Sequence, residues 1–234
     1  CRIIHTPEWV ARVSALLLMI LAFGLWLTHA LIPPFSITGS VVVTGWVWFF
    51  AGMLLQGLLF WQRIPNWIRW IWGAVALLAT WFALFQAKVI GVNFLLSILC
   101  LVWVADIGAY FAGRAWGRRK LAPALSPGKT WEGVAGATLA VCALGFFWQW
   151  LDQHIEVDAA SFFTQSNLRW GHAGLVLWMV LLGASVLGDL FESMLKRVAG
   201  VKDSSGLLPG HGGVLDRIDA LLPTLPLALW MLSW

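Results

Sequence analysis

Charged side chains are rare in this chain, and most of its acids gather in two places. Asp189, Glu192, Asp203, Asp216 and Asp219 surround the glycine-rich stretch PGHGG at 209–213; Asp106 and Glu132 flank a second polar loop, 111–130. Asp216 and Asp219 are three residues apart, a spacing that puts both on one face of a helix. Asp189 closes the preceding apolar segment and comes close to that face if the two segments are antiparallel neighbours. Three converging carboxylates repel one another unless a cation lies among them, and hard oxygen ligands suit Mg²⁺. The competing explanation is that Asp216 and Asp219 are cap charges at a helix N-terminus, where acids are favoured.

The PGHGG loop offers unobstructed backbone N–H groups ahead of a helix, an arrangement that favours anions. Lys196, Arg197, Lys202 and Arg217 add phosphate-pairing capacity, or else anchor the chain at a membrane interface. His211, set among glycines, is a hydrogen-bond donor to phosphate, a general acid or a structural histidine. In SPGKTWEG, 126–133, Pro127 and Gly128 make a turn, Thr130 can cap the following helix, and Glu132 lies in its first turn. Lys129 sits where a helix dipole disfavours a cation, and a phosphate ligand would remove that conflict. Asp106 lies about a turn inside an apolar segment, where an acid is a functional candidate or the partner of Arg114 or Lys129. The remaining loop acids, Glu8, Asp152, Glu156 and Asp158, read as solvated.

The elements that position these groups are membrane helices. Of 234 residues, 60% are hydrophobic and 11% charged, with 18 Trp against one Tyr; soluble domains carry roughly 25% charged residues. Mean hydropathy is +0.82 and the pI about 9.3. The excess of basic residues fits loops facing anionic lipid; no basic stripe interleaved with aromatics points to nucleic acid. Cys1, Cys100 and Cys142 form no CxxC pair, so neither a disulfide framework nor zinc is indicated.

A spanning helix needs ~20 apolar residues. About seven candidates run near 12–32, 41–61, 67–86, 89–110, 131–151, 172–192 and 214–233, giving an all-α polytopic membrane fold. With the N-terminus inside, loops 111–130 and 193–213, both basic, fall on the cytoplasmic side, and the acidic loop 152–171 falls outside, as the positive-inside rule requires. No cleavable signal peptide is expected, because the first apolar run is long enough to span and no small-residue cleavage site follows. The chain begins with Cys1, and the expectation is that N-terminal sequence is missing.

The stretch SMLKRVAGVKDSSGLLPGHGGVLDRID, 193–219, resembles the signature of the phosphatidate cytidylyltransferases, also called CDP-diacylglycerol synthases. Ser193, Lys196, Arg197, Lys202, Asp203, Pro209, His211, Gly212, Gly213, Asp216, Arg217 and Asp219 all fall on the pattern. ADIGAYFAGR and SPGKTWEG also resemble the family's earlier motifs, so that the clear resemblance covers residues 103–222. It implies transfer of the cytidylyl group of CTP to phosphatidic acid, giving CDP-diacylglycerol and pyrophosphate at a Mg²⁺-dependent site that can take a second cation. The implied metal ligands are Asp189 and Asp216, with Asp219 close by. Lys202 and His211 join these acids as catalytic candidates. Ser126, Lys129, Thr130, Glu132, Ser193, Lys196, Arg197, Asp203, Gly212, Gly213, Arg217 and Asp106 are the substrate-binding candidates.

The expected organisation is a single integral membrane domain, with N-terminal spans in 1–102 and a catalytic half in 103–234, in a bacterial inner membrane with the site facing the cytoplasm. A homodimer is allowed for; nucleic acid is not expected as a partner. Two rival readings are an ion-coupled transporter and another CTP- or CDP-linked lipid phosphotransferase. A transporter relay should cross the midplane, whereas these acids lie at one face. The phosphotransferase pattern D-x-x-D-G-x-x-A-R is not met by DRIDALLP.

Overall fold

The computed structural model describes residues 35–205 and 213–233. The segment expected at 12–32, together with Pro209, His211 and Gly212, lies outside the described residues. Chain order is α1 (Phe35–Gln56), α2 (Leu58–Arg63), α3 (Asn66–Ile90), α4 (Val92–Trp116), a hairpin of β1 (Lys120–Ala122) and β2 (Ser126–Thr130), α5 (Trp131–His154), α6 (Phe162–Trp170), α7 (Gly174–Val198), α8 (Leu215–Ile218) and α9 (Leu221–Leu232). Among the described residues, five stretches are long and apolar enough to cross a membrane: Thr38–Gln56, Asn66–Ile90, Val92–Trp116, Trp131–His154 and Phe162–Val198. This is an all-α polytopic membrane protein. Its helices stay apolar on their outer faces: Trp103, Ile107 and Phe111, four apart on α4, are all exposed. Water would penalise such a stripe, and lipid does not.

The segment expected at 214–233 is divided. Asp216 lies in the four-residue α8, and the apolar part is the 12-residue α9, which contains Pro226. A proline has no N–H to give the carbonyl four residues back. That carbonyl belongs to Leu222, and the Thr80 hydroxyl on α3 reaches it at 3.0 Å while also facing its own Ala76 carbonyl at 2.7 Å. In apolar surroundings an unserved carbonyl is costly, so this contact fixes α9 against α3.

Helices α4 and α5 meet backbone to backbone. A Cβ built on Gly108 would lie 2.8 Å from the Ala140 Cβ, and one on Gly136 would lie 2.8 Å from the Gly108 carbonyl oxygen. Small residues allow this approach, the usual means of packing helices where lipid removes the hydrophobic drive. Helix α7 runs through both apolar clusters. Trp178 and Leu181 belong to one with Phe94, Phe162 and Leu225; Leu190, Phe191 and Met194 belong to the other with Trp46, Trp61 and Leu125. Trp61 from α2, Leu125 from the hairpin and Met194 from α7 therefore share one end of the bundle, and the described parts of the basic loops expected on a common side sit together there.

The opposite end corrects the reading of Asp152 as a solvated loop acid, since it is half-buried near the end of α5, and gives the exposed loop acid Asp158 a structural role. Asp158 caps α4, accepting from the Val92 N–H and from the Asn93 N–H at 3.1 Å. Those backbone donors hold its carboxyl below the usual carboxylate range. Asp152 accepts from the Ser161 N–H at 2.9 Å, the Ser161 and Thr164 hydroxyls at 2.6 Å each, and the Asn93 amide at 2.8 Å. Asn93 in turn accepts from the Trp148 indole at 2.9 Å. These partners stand 9 to 66 residues from the acids they serve, which is why local sequence does not show them. The segment read as loop 152–171 also contains α6, started by the Ser161 cap on the Thr164 N–H.

Candidate active site

The last three turns of α7 carry Asp189, Glu192, Ser193 and Lys196, spaced so that all lie along one face. One carboxylate oxygen from each of Asp189, Glu192 and Asp219 lies within 4.8 Å of the others. Glu192 is 3% exposed, and its Oε1 has no hydrogen-bond partner among the described residues. Its Oε2 accepts from Lys196 Nζ at 2.5 Å. Asp219 is pushed up to about 6, first by burial and then by the neighbouring Asp189 charge. Such crowding of hard oxygen donors is what a divalent cation relieves, and the donor set fits one.

Asp216 stands beside this group with a different set of partners. Its Oδ1 pairs with Lys196 Nζ at 2.8 Å; its Oδ2 accepts from the Ser204 N–H at 3.0 Å, the Ser204 hydroxyl at 2.7 Å and the Gly213 N–H at 2.7 Å. Burial alone would raise its pKa, but the ammonium and these donors outweigh it and hold the carboxyl well below the usual range. One carboxylate thus joins the two flanks of the glycine-rich loop to the acid group.

A cleft of ≈ 660 Å³ opens beside the acids, between α4, the hairpin, α5 and α7. Asp106, Tyr110, Arg114, Ser126, Lys129, Thr130 and Asp189 line it. Lys129 Nζ is 2.5 Å from Asp189 Oδ2 and 3.4 Å from the Val186 carbonyl. The cation that conflicts with a helix N-terminus is thereby met by an acid of α7. Asp106 is exposed to the cleft and makes no ion pair among the described residues. Neither partner considered for it takes that role, because Arg114 donates to the Tyr110 hydroxyl at 2.7 Å and Lys129 goes to Asp189.

Thr130 is buried and caps α5, accepting from the Gly133 N–H at 3.1 Å. Glu132 accepts from the Arg118 and Arg119 N–H groups at 3.1 and 3.2 Å, fixing the strand entering the hairpin. Ser193 donates to Asp189 at 3.5 Å. Arg197, Lys202, Asp203 and Arg217 are exposed at the same end of the bundle, and Gly213 is buried. Sequence reasoning grouped Asp189 with Asp216 and Asp219, whereas the geometry gathers Asp189, Glu192 and Asp219 and sets Asp216 against Lys196 and the loop. The signal for Glu192 was its position three residues after Asp189 and four before Lys196.

The Cytidylyltransferase family model matches residues 2–234. Among similar curated proteins, a phosphatidate cytidylyltransferase of Pseudomonas aeruginosa is 39% identical over 215 residues, 85% of this chain and 72% of that protein. One from Haemophilus influenzae is 48% identical over 136 residues, 58% of this chain and 44% of its own length. One from Staphylococcus aureus is 40% identical over 144 residues, 61% of this chain and 50% of its own length. The chain thus spans about half the length of the last two relatives. With a family match that runs from residue 2 to the final residue, through both the acid group and the cleft, the chain belongs to the cytidylyltransferase family.

Proposed function

We propose that this chain is the catalytic part of an enzyme that transfers the cytidylyl group of CTP to phosphatidic acid, releasing pyrophosphate, with residues 103–234 as the catalytic half. The observation that carries this reading is the junction of a cleft and a carboxylate group at one end of a membrane bundle, with Asp189 belonging to both. A lipid substrate stays in the leaflet and a nucleotide comes from water, so the reaction needs a site where the two meet. The basic loops at that end support a cytoplasmic orientation in a bacterial inner membrane.

Asp189, Glu192 and Asp219 would hold Mg²⁺, with Asp216 alongside. When bound, the ion supplies charge neutralisation between two anionic substrates and at the leaving pyrophosphate. The chain's own groups do the rest. Lys129 and Arg114 in the cleft, with Arg197, Lys202 and Arg217 at its approach, hold phosphates in line. An oxygen of the phosphatidate monoester attacks the α-phosphorus of CTP; the bond to the β-phosphate bridging oxygen breaks, and pyrophosphate leaves. The monoester is already largely ionised near pH 7, with a second pKa near ~6, so no strong general base is required. His211 is assigned to binding or leaving-group support.

The test is pyrophosphate release from CTP by the purified protein in mixed micelles. Release that needs both Mg²⁺ and phosphatidic acid, and that Asp189→Asn or Asp216→Asn abolishes in folded protein, supports the reading. Release without the lipid, or full activity in Asp189→Asn, overturns it.

A further inference from the structure

We propose that Lys129 is a resident counter-ion which a divalent cation displaces from Asp189, so that loading the metal releases the Lys129 ammonium to bind a substrate phosphate in the same cleft. The inference rests on Asp189 being a metal ligand, as above. It makes Lys129 an exchangeable group rather than a fixed one, and it orders binding: cation first, phosphate second.

The geometry supports exchange in three ways. Asp189 is the one acid that belongs both to the carboxylate group and to the Lys129 ion pair, so an arriving cation and the ammonium contend for a single carboxylate. Two positive charges cannot share it closely without strong repulsion. Lys129 is also lightly tethered: among the described residues its ammonium has, beyond Asp189, one further hydrogen-bond partner, the Val186 carbonyl at 3.4 Å, a long contact, and Asp106 acts on it by charge alone. Lys196 shows the contrast, being held by two carboxylates, Glu192 at 2.5 Å and Asp216 at 2.8 Å. Finally, Lys129 has somewhere to go. It sits on the hairpin at the cleft lip, 24% exposed, beside Gly128, around which the space is open. Its flexible four-carbon stem can swing the ammonium within the cleft without moving the strand.

The experiment measures Mn²⁺ binding to the full-length protein in detergent, without nucleotide, by the electron paramagnetic resonance signal of free Mn²⁺. Lys129→Met should tighten Mn²⁺ binding about tenfold, the equivalent of removing one competing charge-assisted hydrogen bond, and Asp189→Asn should weaken it. Unchanged or weaker binding in Lys129→Met, with Asp189→Asn still impaired, overturns the exchange and leaves the metal assignment standing. Equal binding by wild type and Asp189→Asn overturns both. A second readout needs no variant. Acetylation of Lys129 by acetic anhydride, followed by mass spectrometry, should rise severalfold on adding Mg²⁺, with exposed Lys120 on the same hairpin as the reference. A rate at Lys129 that is unchanged or falls overturns the proposal.

Discussion

Replacing Asp152 tests whether the end of the bundle far from the cleft is structural. Its two carboxylate oxygens accept four hydrogen bonds, at 2.6 to 2.9 Å, from Asn93, Ser161 and Thr164. Each charge-assisted bond contributes about 1.5–3 kcal/mol in isolation. They share one acceptor group and a half-buried site, so their contributions do not add. Asp152→Ala, which strands all four donors, is expected to cost about 3 kcal/mol. Asp152→Asn can still accept from Ser161 and Thr164, but it turns an amide N–H toward the Asn93 amide; its cost should be about 1–2 kcal/mol. Equilibrium unfolding by sodium dodecyl sulfate in mixed micelles gives both differences. Pyrophosphate release per folded molecule should remain near wild type, because nothing in the cleft touches this network. An Asp152→Ala cost below about 0.5 kcal/mol would refute the network as a source of stability. Lost turnover at unchanged stability would refute its separation from the site.

Thr80→Val keeps shape but leaves the Leu222 carbonyl unserved, and should cost about 1 kcal/mol in the same unfolding assay; a neutral result would mean that Pro226 needs no outside donor. Gly136→Ala should destabilise by about 1–3 kcal/mol, although helix propensity alone favours Ala by about 0.5–1 kcal/mol, because the new Cβ meets Ala112 and the Gly108 carbonyl; a stabilised variant would show that the α4–α5 seam can open. Asp158 titrates below its unfolded value, so its contribution is fully present above about pH 4 and is lost as pH falls through the lower folded value. Hydrogen-exchange protection at Val92 and Asn93 should therefore fall on acidification in wild type and be low at every pH in Asp158→Ala.

Hydropathy and loop charge are local properties, and the sequence stated them plainly: each span expected between 41 and 192 overlaps an observed apolar helix, although the ends differ, as where 172–192 meets the stretch Phe162–Val198. The basic loops gather at one end, as the charge pattern required. Pro226 sits inside α9, and the carbonyl it leaves unserved is met by Thr80 on another helix, a pairing no local pattern shows. Within the site, Lys129 and Asp189 were each recognisable as chemical candidates, but 60 residues of chain separate them, and their pairing follows from how the hairpin folds onto α7. The expected set Asp189, Asp216 and Asp219 assumed one continuous helix from 214. With α8 only four residues long, Asp216 and Asp219 take different neighbours, and Glu192, already on the face of Asp189, joins the group.

The Asp158 cap has a consequence for how the protein is made. Synthesis runs from the N-terminus, so the first amides of α4 emerge 66 residues before the carboxylate that will cap them. Until the loop after α5 has been carried across the bilayer, those N–H groups have only water or headgroups to face. Asp158 reaches them once α4 and α5 stand as an antiparallel pair, with the loop after α5 beside the start of α4. The cap therefore ties the start of α4 to the loop after α5 on one side of the bilayer: a chain threaded with the wrong number of crossings would leave Asp158 on the other face and the first turn of α4 without its cap.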